Sequence, residues 1–168
     1  MQRHNSLRLE GYDYRQAGVY FITICTFQRE YLFGQVQAGV MEPSQLGKAT
    51  FEAWADLPNH YPQVVLDEFC VMPNHMHGII VLENEYTVDV EAGRTDGVAR
   101  HGLPEIVRAF KSFSARSINS IRKTQGVPVW QRGYYDHIVR NEEDYRRIAA
   151  YIQNNPQHWG EDEENQER

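Results

Sequence analysis

Cysteine is scarce in this chain of 168 residues: only Cys25 and Cys70 occur, each inside an apolar run. Two thiols build neither a disulfide framework nor a cysteine-rich metal site, so both read as small buried side chains. Long apolar runs are missing as well. None approaches the roughly eighteen residues that a membrane span needs. The polar stretch Met1–Glu10 lacks the apolar centre of a secretory signal. These absences lead to the expectation of a cytoplasmic protein with no membrane partner. Lys and Arg are absent from Ala49 to Gly93, a stretch that holds eight acids.

What is present gives the charge a pattern. The formal net charge is −6, which by itself argues against a nucleic-acid partner. Yet the segment Glu161–Arg168 has five acids and one arginine and so supplies −4 of it. In Arg100–Lys123, by contrast, Arg100, Arg108, Lys111, Arg116, Arg122 and Lys123 face one acid, Glu105. A segregated basic helix can follow phosphates even on an acidic protein; a plain solvated helix face is the alternative.

The hydrophobic pattern places the elements. Residues 1–16 read as an extended arm. Val19–Phe27 is β-branched and aromatic and reads as a buried strand. Tyr31–Glu42, punctuated by Gly34 and Gly39, suits a hairpin. Ser44 opens a helix through Leu46, Phe51, Trp54 and Leu57, with Pro58 and Pro62 at its end. Val64–Met72 and His75–Leu82 read as two strands joined at Pro73-Asn74. Residues 84–102 read as a flexible loop. Leu103–Thr124 is an amphipathic helix with the stripe Leu103, Val107, Phe110, Ile118 and Ile121. Val127–Val139 is extended, Asn141 caps a last helix to Asn155, and 159–168 reads as an acidic disordered tail. The order predicts one α+β domain over residues 1–158, an antiparallel sheet with helices packed on a face.

His75-Met76-His77 begins a strand. Alternation sends both imidazoles to one face and Met76 to the other. Two imidazoles so placed can share a cation, but two ligands do not complete a site. Polar strand residues, a cupin-like site or a metal hydrolase are the competing readings of the pair alone. On the last helix, Tyr145, Ile148, Ala149 and Ile152 form the core stripe. Tyr151 and Asn155 are stacked neighbours at its edge. If that helix packs beside the histidine strand, a phenol and an amide oxygen reach the imidazoles. Tyr151 could then act as a nucleophile and Asn155 as a third ligand. His137, His158 and a few acids, none singled out, are other candidate ligands; a core tyrosine and a helix C-cap are the bland alternatives for Tyr151 and Asn155.

Four blocks carry a resemblance: VMPNHMHGIIV (71–81), YIQNNP (151–156), VWQRGYYDHIVRNEEDY (129–145) and RLEGYDYRQAGVYFITICTFQREYLFG (8–34). Together they resemble the single-tyrosine HUH transposases, and within them the REP-associated tyrosine transposases. The resemblance implies a ferredoxin-like (RRM-like) fold and single-stranded or hairpin DNA as substrate. It implies cleavage by tyrosine with a 5′-phosphotyrosine intermediate, Mg²⁺ or Mn²⁺ held by His75, His77 and Asn155, and Tyr151 as nucleophile. Insertion-sequence members commonly have glutamine where this chain has Asn155. DNA contacts would come from Arg3, Arg8, Arg108, Lys111 and Arg116. Trp130, Tyr134 and Tyr135 could stack bases or belong to the core. Monomeric and homodimeric arrangements both occur in such proteins, and a domesticated, non-cleaving hairpin binder is the alternative function.

Overall fold

The structure is a computed structural model that describes residue 9 and residues 11–83 and 101–165. Arg3, Arg8 and residues 84–100 of the expected loop lie outside the described residues. The β-branched segment after Ala17 forms strand β1, Gly18–Cys25. Its ladder ends before Phe27 because Gln28 and Arg29 take left-handed φ angles of 53° and 59° in a short 3-10 turn. Strands β2 (Gly34–Gln37) and β3 (Val40–Pro43) form a two-stranded hairpin. Its connection is Ala38-Gly39, both with positive φ, the twist a two-residue hairpin turn requires. Helix α1, Gln45–Ala55, starts where the Ser44 hydroxyl accepts from the Gly47 amide at 3.2 Å. Pro58 does not stop the chain's helical course. It lies in the first turn of a second short helix, α2 (Leu57–His60), where a missing N–H costs nothing.

Strand β4 (Val64–Met72) turns at Pro73-Asn74 into β5 (His75–Leu82). Helix α3 spans Leu103–Ile121, shorter than expected, since Lys123 turns to a φ of 56°. Ile121 is therefore exposed, while Ile106 and Ser114 join the buried stripe. Of the expected extended stretch, Tyr135–Val139 forms strand β6, and Trp130 makes an isolated bridge to Thr26. Helix α4, Glu142–Asn154, is capped by Asn141, whose side chain accepts from the Asp144 amide at 2.8 Å.

The main sheet has the order β4-β5-β1-β6, antiparallel throughout. With α1 and α3 as its two crossovers, this is the β-α-β-β-α-β ferredoxin-like arrangement expected from the sequence. Tyr20, Ile22, Ile24, Met76 and Ile80 face one way and pack under α1 and α3 with Trp54, Leu103, Ile106 and Phe110. Gly78 belongs to this packing. A Cβ there would stand 2.6 Å from the Trp54 ring, which also stacks on Phe69. The other face carries Phe21 and Ile79 under Ile148 and Ile152 of α4.

Residues expected to be a disordered tail are ordered through Asn165. A 3-10 turn, Asn155–Glu161, continues from α4, and Asp162 and Asn165 are buried. Specific hydrogen bonds offset the acidity of the segment: Asn74 donates to the Glu164 carbonyl at 2.7 Å and Tyr31 to Asn165 at 2.8 Å. Arg29 forms an ion pair with Glu164.

Candidate metal and tyrosine centre

Alternation on β5 places His75 and His77 on the face under α4, both fully buried. Cross-strand neighbours hold the rings. His77 pairs with Thr23 of β1, and its Nδ1 lies 2.7 Å from the Thr23 hydroxyl. His75 Nδ1 lies 2.9 Å from Asn74 Oδ1. Asn74 uses its NH₂ on the Glu164 carbonyl, so its oxygen faces His75 and can only accept. His75 therefore carries its proton on Nδ1 and presents a bare Nε2 inward. That atom is 3.0 Å from His77 Nε2. Without a cation, a proton on His77 Nε2 bridges the two nitrogens and Thr23 donates to Nδ1. With one, Thr23 can accept from Nδ1 and both Nε2 lone pairs turn to the ion.

At that spacing both nitrogens could ligate one divalent cation. A carboxylate joins them: Asp162 Oδ2 is 3.9 Å from His75 Nε2. His75, His77 and Asp162 form a buried group of potential ligand atoms within 4.8 Å of one another. Asn155 donates through Nδ2 to Asp162 at 2.8 Å, and its buried Oδ1 has no hydrogen-bond partner among the described residues. An orphaned amide oxygen beside two imidazoles and a carboxylate is a donor set that fits a divalent cation.

The electrostatics agree. Burial drives His75 down to about 3, and the Arg29 charge adds to this. Burial, then the His75 charge, also holds His77 well below the usual imidazole value. Both imidazoles are thus neutral near pH 7, as ligands must be.

Tyr151 comes from α4. The Asp67/Glu68 interruption of β4 is a bulge between Leu66 and Phe69, and it tethers this helix. Tyr145 donates to Asp67 at 2.9 Å and Gln153 to Glu68 at 2.8 Å. With Ile148 and Ile152 seated on Phe21 and Ile79, the helix edge brings the Tyr151 hydroxyl within 3.2 Å of His77 Nε2. The side chain remains about half exposed, at 47%. Burial of the hydroxyl, then the Asp162 charge, raises the phenol above its ordinary value, so it is protonated at neutral pH.

The other expected residues separate. His137 points to Asp144, at 2.7 Å, rather than to the histidine pair. Lys111 spans the carbonyls of Gln131, Arg132 and Gly133, and burial lowers its amine to about 8. It ties down a loop while lining the groove that Arg108 also lines. Arg108 is exposed in a groove with Arg132, Gly133 and Tyr134. Arg116 lies over the Phe113 ring at 5.0 Å. Trp130 and Tyr134 are core residues, with the Trp130 indole donating to Ser114 at 2.9 Å, while Tyr135 is exposed. Sequence reasoning missed Asp162. It sits in an acid-rich run with no periodicity, so no signal set it apart.

A cavity of about 940 Å³ opens beside this centre, lined by His77, Tyr151, Asn155 and Asp162 among others. Among the described residues, no helix is long and apolar enough to cross a membrane.

No protein-family model matches the sequence. An uncharacterised protein of Haemophilus influenzae is 37% identical over 168 residues, covering 97% of this chain and 93% of that protein. A second protein of that organism, named "Putative REP-associated tyrosine transposase", is 26% identical over 149 residues, covering 86% of this chain and 73% of its own length. Among solved structures, a REP-associated tyrosine transposase bound to a REP hairpin superposes with a TM-score of 0.57 at 19% identity, covering 86% of this chain and 70% of that one. The chain is similar to REP-associated tyrosine transposases in sequence, and its fold is similar to theirs.

Proposed function

We propose that this relative of the REP-associated tyrosine transposases is itself a transposase-type enzyme, one that cleaves and rejoins single-stranded DNA beside hairpins. The observation that carries the reading is the Tyr151 hydroxyl 3.2 Å from His77 Nε2, with His75, Asp162 and the orphaned Asn155 oxygen on the same side. A lone tyrosine or a lone histidine pair would be unremarkable; their convergence from α4 and β5 is not expected of plain packing.

In this reading His75, His77 and Asn155, with Asp162 beside them, hold Mg²⁺ or Mn²⁺. The ion would supply Lewis-acid polarisation of the scissile phosphate. The Tyr151 oxygen attacks phosphorus, forming a phosphotyrosine bond as the bond from phosphorus to the 3′-oxygen breaks. The phenol loses one proton and the released 3′-hydroxyl gains one. A 3′-hydroxyl from another strand reverses the step, and since one phosphodiester replaces another, no ATP is needed. Helix α4, fixed by Ile148, Ile152 and the two tethers to the β4 bulge, holds the nucleophile at a set distance, which is where such catalysis gains most. Arg108 would contact a phosphate outside the cavity; Arg3, Arg8 and Arg116 remain DNA contacts proposed from the sequence resemblance.

The test uses end-labelled hairpin DNA with single-stranded flanks, incubated with the protein and Mn²⁺. The expected result is a covalent adduct that survives denaturation, disappears with chelator and disappears in Tyr151→Phe. Hairpin binding with no adduct on any flank sequence would instead identify a non-cleaving hairpin binder.

A further inference from the structure

Among the described residues, helix α4 packs chiefly on β4 and β5, and side chains of β1 and β6 on the same sheet face line the cavity. The cross-strand pairs Thr23–Tyr135 and Phe21–His137 show which side chains of β1 and β6 share that face. They are Phe21, Thr23, Tyr135 and His137, and all four line the cavity. Phe21 is the floor. Its ring stacks at 5.6 Å on His77 and meets both Tyr135 and Tyr151 edge-on at 6.2 Å. Tyr135 and Tyr151 thus stand on either side of Phe21, one from the edge strand and one from the helix. Tyr135 is 43% exposed, whereas its neighbour Tyr134 is buried. An aromatic ring kept open to solvent at the mouth of a cavity is out of place as core and suited to a planar ligand.

We infer that Tyr135, over Phe21, is the stacking subsite for a nucleobase next to the scissile phosphate. The inference rests on the reading of Tyr151 and the histidines given above, and it deepens that reading by naming how the strand is held. The occupant follows from continuity. A phosphate at Tyr151 has its adjoining base within one nucleotide, and the exposed ring beside Tyr151 on this face is Tyr135, set edge-on to the buried Phe21. Stacking needs a π-face and no hydrogen-bonding edge, so the subsite would hold any base. No charge need be neutralised there; the neighbouring phosphate meets the histidine centre instead. Exposure also makes the residue replaceable, since its removal opens no hole in the core.

The experiment uses the full chain with Tyr151→Phe and a DNA hairpin whose single-stranded flank carries 2-aminopurine, moved position by position. Stacking on Tyr135 quenches the fluorophore at one position. An abasic site at that position should weaken binding about tenfold, and Tyr135→Ala should weaken binding of the base-bearing DNA by about the same factor. Tyr135→Ala should then have no further effect on the abasic DNA, and Tyr135→Phe should bind as the parent does. Equal losses on base-bearing and abasic DNA, or no loss, overturn the subsite, as does an absence of binding in all cases. The adduct assay on the chain with Tyr151 intact separates the two ideas. Binding with this stacking pattern but no Mn²⁺-dependent adduct leaves the subsite standing and removes the cleavage reading.

Discussion

At the scale of single residues, the centre depends on side chains that fix other side chains. Asn74 sets the His75 tautomer and Thr23 faces the other nitrogen of His77, so the two Nε2 atoms converge. Asp162 does more than sit near them. It is buried, takes a hydrogen bond from Asn155 and lies 3.9 Å from His75. A buried carboxylate is costly unless a charge compensates it, and a cation at the histidines would do so. Asp162→Asn keeps the size and a hydrogen-bonding oxygen but removes the charge. Mn²⁺ affinity measured by titration calorimetry should fall about tenfold or more, with the thermal unfolding midpoint of the metal-free protein little lowered. Unchanged affinity would remove Asp162 from the ligand set. The histidine spacing was readable from the sequence because both lie in one strand, and the Tyr151–Asn155 stacking because helical backbone runs on through the cap at Asn155. Asp162 was not, because nothing local marks which acid of a run will turn inward.

At the scale of elements, two irregularities do the positioning. The β4 bulge, which in the sequence is merely a polar interruption at Asp67 and Glu68, supplies the acceptors that tether α4 over the histidines. Bulges commonly re-aim side chains next to sites in this way. The absence of a side chain at Gly78 lets the Trp54 ring lie flat on the opposite face. Gly78→Ala places a methyl group 2.6 Å from that ring, and the indole is wedged between Phe69 and Phe110. The expected loss is about 1–3 kcal/mol in denaturant unfolding, as for overpacked cores. A variant as stable as the parent would show that α1 can move away freely. Boundaries were less legible than the elements themselves. The ends of β1 and α3 depend on left-handed residues at Gln28, Arg29 and Lys123, types that rarely take that conformation by preference.

At the scale of the whole molecule, charge and topology diverge. Helix α3 carries the basic residues, yet it lies on the sheet face opposite the histidines. Its contribution to DNA binding would therefore come from Arg108, in the groove that shares Gly133 and Tyr134 with the main cavity. Arg108→Ala should weaken hairpin binding at low salt and reduce the slope of log affinity against log salt by about one, the value for one lost phosphate contact. Lys111 lines the same groove, with its ammonium bonded to three carbonyls of the 131–133 loop. An unchanged slope in the Arg108 variant would move the DNA track elsewhere on the surface.

The sequence by itself determined the antiparallel α+β order, the shared face of His75 and His77 and the shared edge of Tyr151 and Asn155. Each of these follows from a period of two or of about 3.6 residues within one element. Only the tertiary structure decided that α4 lies across β4 and β5, that His137 turns to Asp144, and that Lys111 serves a loop. It alone brought Asp162 inward and left Tyr135 open beside Phe21. These are contacts between segments far apart in the chain, set by packing and by hydrogen-bond partners that no local pattern records.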